Sequence, residues 1–567
     1  MDVQSYYQKV RQYISDGQFD ELRELSLKKP EKFNWVRDIF KPLNVDTYPD
    51  NVALLWTSDS SEKRFSFKKI YEQCNRLLNF LRARGLEQGS IIYTQLPLVP
   101  ANWLCYLAAI KGGFIVIPAA TTLTVEDIAY RFGQTLPDAI ITDFENAGKI
   151  DEAIEENGYD IPVKLATDRA GAGWTLFEDA LADQKSSAEA ADTRPDDPLF
   201  YFFTSGTTGM PKVVTHTHFS YPIGHLTTAS WIGLRHGDVH YNISQPGWAK
   251  FAWSSFFAPW AVGATIFAKY SESFSASEHL KAMEQYGITT FCAPPTALRM
   301  LIQCKLEKYD LKLRQCVAAG EPLSPDIIES WKKGTGMLIR DGYGQTESTC
   351  MVGNLPNADL KYGSMGKPTF LYDIVIADDD GTLMPETEVG NICLKFSEDK
   401  INGLFIGYEG DKGKEEDVFK HDLYYTGDKA YYDEEGYIWF VGRDDDVIKA
   451  SDYRIGPFEV ESVLSDYDAV VEAAVVASPH ELRGNVVKAF LIMKENTDYS
   501  EALAQELFDY TGERLAVYKI PRIIEFITEF PKTVSGKIRR VELRSDEEVH
   551  RQKNERRENE FFHSKYQ

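Results

Sequence analysis

A large layered α/β domain followed by a small α+β domain is the architecture this sequence predicts, on three observations. At 567 residues the chain exceeds the size at which one hydrophobic core keeps growing, so two or more domains are expected. Up to about residue 442, short β-rich runs alternate with helical runs, the pattern of a substantially parallel sheet covered by helices. There the texture changes: Gly442-Arg443-Asp444-Asp445-Asp446 is densely acidic, and a compact unit with its own strands and helices follows.

Residues 1–90 read as mostly helical and amphipathic, with one strand at Val52-Ala53-Leu54-Leu55-Trp56. Apolar residues recur at helical spacing over 67–86, where Arg84-Gly85 makes a reasonable stop. The β-rich runs 90–96, 114–118 and 139–142 are strands, with helices over 100–111 and from Thr124. The polar stretch 184–197 reads as a surface loop, because strand–helix alternation resumes after it. Strands are expected again at 265–268, 289–292 and 315–319. In the small domain the pattern predicts a helix at 456–466, strands at 472–477 and 486–493, a helix at 500–514 and a strand at 523–527. The highly charged tail 545–567 reads as a solvated helix or a disordered end.

Composition narrows the function. The balance of 62 basic against 86 acidic residues gives a net charge of −24, which disfavours nucleic acid and anionic membranes as partners. Seven scattered cysteines without a CxxC pair argue against a disulfide framework or zinc site and for a cytoplasmic setting. Met1 to Tyr7 lacks the basic and apolar regions of a signal peptide, and the apolar run 103–120 is interrupted by Lys111-Gly112-Gly113, so no membrane span is expected.

The chemistry points to one loop. Between the strand-like runs 198–203 and 213–218 lies Thr204-Ser205-Gly206-Thr207-Thr208-Gly209-Met210-Pro211-Lys212. Its glycines let backbone approach a phosphate, its hydroxyls donate to phosphate oxygens, and its lysine adds a point charge. The spacing is not that of a Walker loop, and a strand follows instead of a helix. Taken alone, the loop also admits a lesser reading as a polar Gly/Thr turn in a hairpin. Four further clusters accompany it: Asp341-Gly342-Tyr343-Gly344-Gln345-Thr346-Glu347, Tyr425-Thr426-Gly427-Asp428, Gly442-Arg443 through Lys449 to Arg454, and Pro531-Lys532-Thr533-Val534-Ser535-Gly536-Lys537.

In this order, the motifs resemble those of the adenylate-forming superfamily of acyl-CoA synthetases, adenylation domains and luciferases, over roughly residues 40–545. The resemblance implies that a carboxylate is joined to ATP as acyl-AMP, with pyrophosphate released, and that the acyl group then passes to a thiol such as coenzyme A. It implies that Thr204, Ser205, Gly206, Thr207, Thr208, Gly209 and Lys212 hold the β- and γ-phosphates, that Thr346 touches the α-phosphate, and that Glu347 is associated with Mg2+. Gly320, Glu321 and Pro322 with Asp341, Gly342 and Tyr343 match adenine-lining segments, and Asp428 with Arg443 matches the ribose site. Lys537 matches the lysine that bridges carboxylate, ribose and phosphate as charge develops. The large domain would span 1–443 and the small, mobile one 446–567, turning about Asp445.

The same resemblance implies that Ser451, Asp452, Tyr453, Arg454 and Arg483 face coenzyme A, with Arg454 also near the phosphates in one state. Asp452 departs from the glycine usual there, which puts bulk and charge beside the thiol path. At the acyl pocket, acetate-activating relatives carry tryptophan where this chain has Gly344, so an open volume is expected. The segment Gln245 to Ser255, with Trp248 at the pocket, is most similar to the medium-chain acyl-CoA synthetase branch. The expected substrate is a short- to medium-chain or branched carboxylate. The expected partners are small molecules (that acid, ATP and CoA), with a homo-oligomer left open. Two alternatives stand beside this: an adenylation enzyme loading a carrier protein, and a nucleotide-binding protein without catalysis.

Overall fold

The computed structural model describes residues 1–204, 211–396, 403–450, 453–480, 484–533, 537–553 and 556–563. The chain divides into two compact units. The first comprises Met1–Thr204, Pro211–Asp373 and Phe396–Asp417, and the second includes Ile374–Lys395 and Val418–Gln567.

Two sheets build the first unit. One has nine strands, in the order Lys367–Pro368, Val352–Gly353, Ile339–Tyr343, Gln315–Ala319, Thr290–Ala293, Val239–Asn242, Thr265–Lys269, Val52–Thr57 and Glu62–Ser66. Its middle is parallel, from Ile339–Tyr343 across to Val52–Thr57. The other has eight, in the order Gly407–Tyr408, Lys212–Thr217, Pro198–Thr204, Ile115–Pro118, Ile91–Gln95, Ala139–Thr142, Val163–Ala166 and Thr175–Leu176. The expected parallel sheet is present, and strands buried on both faces account for runs such as Ile115 to Pro118 with no polar alternation.

Helix boundaries follow local chemistry. Ser66 caps Phe67–Ala83 by accepting from the Lys69 amide, and Thr124 with Asp127 forms a reciprocal cap on Val125–Gln134. Every residue of Ala101–Gly112 is buried, which explains why it is apolar apart from Asn102 and Lys111, whose side chains are hydrogen-bonded. The apolar run that begins there is a buried helix followed by the strand Ile115–Pro118. No helix among the described residues is long and apolar enough to cross a membrane. Ser220–Ile232 is likewise buried along its length and packs Tyr221 and His225 against Phe200 and Phe257.

The second unit carries an antiparallel sheet made of Ile374–Ala377, Gly390–Lys395, Leu423–Tyr432, Phe419–Lys420 and Ile438–Arg443. Beyond it lie the short pair Ile448–Ala450 and Tyr453–Ile455, and a four-stranded sheet of Val470–His480, Gly484–Met493, Ile523–Phe526 and Glu560–Phe562. The helices Pro457–Ser465 and Glu501–Arg514 pack their apolar faces into one core with Ile448, Val475, Leu491 and Phe526.

The tail departs from expectation. Over its described residues it is a helix docked by one face: Arg540–Gln552 leaves Ser545, Asp546, Glu548 and Gln552 exposed but buries Leu543 and Glu547, and Glu560–Phe562 pairs antiparallel with Ile523–Phe526. The cause is a buried ion cluster. Lys488 Nζ lies 2.6 Å from a carboxylate oxygen of each of Glu525, Glu547 and Glu560, and Arg551 and Arg557 bind the same carboxylates from outside. Charge that looks like a solvated face in sequence is here paired and withdrawn from water.

Candidate active site

The phosphate-binding candidate is the tip of a hairpin. Pro198–Thr204 and Lys212–Thr217 are antiparallel, and Thr204 stands opposite Lys212 as the last pair before the loop. The loop residues Ser205, Gly206, Thr207, Thr208 and Gly209 lie outside the described residues. Its exit is held by the Tyr130 hydroxyl, which donates to the Pro211 carbonyl at 2.9 Å.

Thr346 and Glu347 meet the same hairpin. His216, on Lys212–Thr217, places Nε2 2.6 Å from the Thr346 carbonyl oxygen. A carbonyl only accepts, so this nitrogen carries the proton. Burial lowers the His216 pKa to about 3, partly opposed by the Thr346 contact, and the ring therefore stays neutral as a fixed donor. It stacks on Tyr221 at 3.9 Å. The Glu347 carbonyl accepts from the Phe405 amide at 2.8 Å, and its carboxylate Oε1 accepts from the Tyr408 hydroxyl at 3.0 Å. Lys212 Nζ lies 5.5 Å from the centroid of the Tyr408 ring. Lys212, Thr346 and Glu347 are thus joined within the first unit through His216 and Tyr408, neither of which stands in a motif.

The adenine-lining candidates occupy neighbouring parallel strands. Gln315–Ala319 ends just before Gly320, Glu321 and Pro322, and Ile339–Tyr343 carries Asp341, Gly342 and Tyr343. Lys250 joins them, its Nζ donating to the Ala319 carbonyl at 2.8 Å. Asp341 is buried. Desolvation raises its pKa to about 8, against the opposing effects of the Gly342 and Leu323 amides and the Lys250 charge. Folded Asp341 therefore keeps a proton that the unfolded chain loses near the ordinary value of 3.8, and stability falls as pH rises between those values. Asp341→Asn is expected to flatten that decline in thermal midpoints measured from about pH 5 to 8. An unchanged slope would remove Asp341 as its source.

Gly344 is not beside open space. A Cβ there would run into the Thr349 carbonyl oxygen and Cη2 of the Trp253 indole, so the expected vacancy is filled from another element. Trp253 opens the π-helical segment Trp253–Phe257 and is buried. Trp248 is half-buried with a different cluster, around Ala119, Ala120 and Leu123.

In the second unit, Asp428 and Arg443 face each other across Leu423–Tyr432 and Ile438–Arg443, Nε to Oδ1 at 3.5 Å. Asp428 is buried while Arg443 is half-exposed, a pairing that holds the carboxylate in place. Asp445 follows on the surface, 3.8 Å from Arg443. Tyr453 and Arg454 pair by backbone with Ala450 and Lys449, whereas Ser451, Asp452 and Arg483 lie outside the described residues. Lys537 is exposed, and its amide donates to the Thr533 hydroxyl at 3.1 Å.

Comparison with known proteins decides the family. The AMP-binding enzyme family matches residues 43–408, and the AMP-binding enzyme C-terminal domain matches residues 459–537. The chain belongs to the AMP-binding enzymes. This AMP-binding enzyme is 45% identical over 568 residues to 4-hydroxybutyrate–CoA ligase 1 of Metallosphaera sedula, with 99% of each chain covered. It is 39% identical over 540 residues to the mitochondrial acyl-coenzyme A synthetase ACSM3 of Mus musculus, covering 93% of each. Among solved structures, the anthranilate CoA ligase AuaEII in complex with anthranoyl-AMP superposes with a TM-score of 0.83 at 30% identity, over 92% of this chain and 99% of that one. The AMP-binding enzyme thus has the two-domain α/β fold that its motifs led one to expect.

Proposed function

We infer that this AMP-binding enzyme is an AMP-forming acyl-CoA synthetase: it activates a carboxylate as acyl-AMP, releases pyrophosphate and transfers the acyl group to CoA. Support comes from the family match over both domains and from the single cluster that joins Lys212, Thr346 and Glu347. Thr204, Ser205, Gly206, Thr207, Thr208, Gly209 and Lys212 hold the β- and γ-phosphates, and Thr346 the α-phosphate. The hard, half-buried carboxylate of Glu347 suits Mg2+, which would neutralise phosphate charge when bound with ATP. Asp428 accepts from the ribose hydroxyls with Arg443 beside it, while Gly320, Glu321, Pro322, Asp341, Gly342 and Tyr343 line the adenine.

Two anions must meet for the first bond to form, and Lys537 supplies positive charge where they do. The thioester step uses Ser451, Asp452, Tyr453, Arg454 and Arg483 after the small domain (446–567) turns on the large one (1–443) at Asp445. All seven cysteines are free, in keeping with a cytoplasmic setting.

The substrate is an apolar short- to medium-chain or branched acid, bounded by Trp248, Gly344 and Trp253. The test is AMP and pyrophosphate release with ATP and magnesium, with and without CoA. The acid panel runs from acetate to octanoate and includes branched, aromatic and short ω-hydroxy acids. CoA-dependent AMP release peaking above acetate is expected; pyrophosphate exchange indifferent to CoA would point to another acceptor and to Asp452. Trp253→Ala removes the ring that fills the space beside Gly344 and is expected to move the optimum to longer or bulkier acids. An unmoved optimum would place the pocket elsewhere.

A further inference from the structure

We propose that Tyr408 is a positioning residue of the adenylation step, orienting the Glu347 carboxylate with its hydroxyl and carrying the Lys212 ammonium over its ring. The proposal rests on the reading above that Glu347 holds the metal and Lys212 the phosphates.

Tyr408 lies on a short strand, Gly407–Tyr408, that is added to the free edge of the phosphate-loop hairpin, with Tyr408 opposite Val214 and Gly407 opposite Thr215. The flanking amides of Ile406 and Glu409 donate to Thr215 and Val213, so four consecutive residues follow the hairpin stem. Glu415 locks the segment from its other side, accepting from the Tyr408 amide at 2.9 Å. That carboxylate occupies the place a Cβ on residue 407 would need, and Gly407 has φ of 153°, so glycine is required for the lock. Tyr408 itself is 5% exposed and meets Phe405 edge-on, at 4.9 Å between centroids. Its hydroxyl is therefore delivered to Glu347 by a rigid segment, and the same segment holds the Glu347 main chain through the Phe405 amide.

The chemistry of the donor matters. A lysine or arginine in this position would orient the carboxylate but also neutralise it, and a metal ligand has to keep its charge. A phenol fixes the rotamer and leaves the charge intact. The ring does a second task, since a cation within about 6 Å of an aromatic face is attracted to it. One side chain thereby sets the spacing between a negative group meant for a cation and a positive group meant for phosphate.

The two contacts separate experimentally. Tyr408→Phe keeps the ring and loses only the hydroxyl. It is expected to raise the magnesium concentration for half-maximal acyl-AMP formation about tenfold or more, the usual effect of losing a group that orients a metal ligand. Binding of Mn2+–ATP, followed by electron paramagnetic resonance without any carboxylate present, is expected to weaken in parallel. The KM for ATP at saturating metal and thioester formation from supplied acyl-AMP should stay near those of the parent enzyme. Tyr408→Leu also loses the ring and is expected to raise the KM for ATP. The proposal is overturned if Tyr408→Phe leaves both metal readouts unchanged. It is equally overturned if the variant lowers the thermal midpoint and both half-reactions together, the mark of a purely packing role. Because Mn2+–ATP binding is read without an acid substrate, a wrong assignment of the acyl reaction would leave this result standing.

Discussion

Lys537→Ala is expected to abolish acyl-AMP formation from carboxylate and ATP, by about 10²–10³-fold, while largely sparing thioester formation from acyl-AMP supplied ready-made. Lys537 is exposed, and its main chain is tied to Thr533 by backbone and hydroxyl contacts that the substitution keeps. Adenylation brings two anions together and needs that charge where it develops; attack of a thiol on a formed acyl-AMP makes no such demand at the same place. Pyrophosphate exchange and thioester release, measured separately, distinguish the two. Equal loss of both would refute a lysine specific to the first step.

The largest effect on stability is expected at Lys488. Lys488→Met leaves Glu525, Glu547 and Glu560 buried without their central cation, and breaking such a cluster from one side typically costs about 3–5 kcal/mol. Burial alone would raise the Glu547 pKa, but Lys488, Ser478 and Arg551 outweigh it and the net shift is downward. A depressed carboxylate stabilises the fold above its unfolded pKa and ceases to do so as pH falls through its folded value. Denaturant unfolding of the parent should therefore weaken with acid, and Lys488→Met should lose that part of the dependence. A cost below about 1 kcal/mol would mean that water reaches the cluster.

Local pattern made the layered fold legible. Aromatic and β-branched runs such as 198–203 and 213–218 have one good outcome, adjacent buried strands, and the polar stretch between them has to be their turn. The candidates Lys212, Thr346 and Glu347 could be picked out too, through the order of motifs that resembles a known family and not through residue type alone. What holds them could not be. His216 looks like one more alternating residue of a strand, and Tyr408 stands 61 positions from the carboxylate it touches. Nothing in the sequence around Lys250 points to its carbonyl partner at Ala319. Gly344 shows the limit most directly: a missing side chain says nothing about which neighbour fills the space, and here that neighbour is Trp253. The tail misled for the opposite reason, since composition records charge but not whether charges find each other. The sheet between Ile374 and Arg443 has no signature beyond ordinary alternation.

The strand Glu560–Phe562 also governs when this protein can finish folding. Chains emerge from the ribosome N-terminus first, and domains generally fold as they are completed. The first unit, made of residues up to 417, can close while synthesis continues. The second cannot: Lys488 is made 72 residues before Glu560, and until then the edge of Ile523–Phe526 has no partner. A nascent or stalled chain therefore carries an open sheet edge beside a lysine still in water, the state in which association with other chains is easiest. Chaperone dependence during synthesis should accordingly concentrate in the interval between residues 488 and 560.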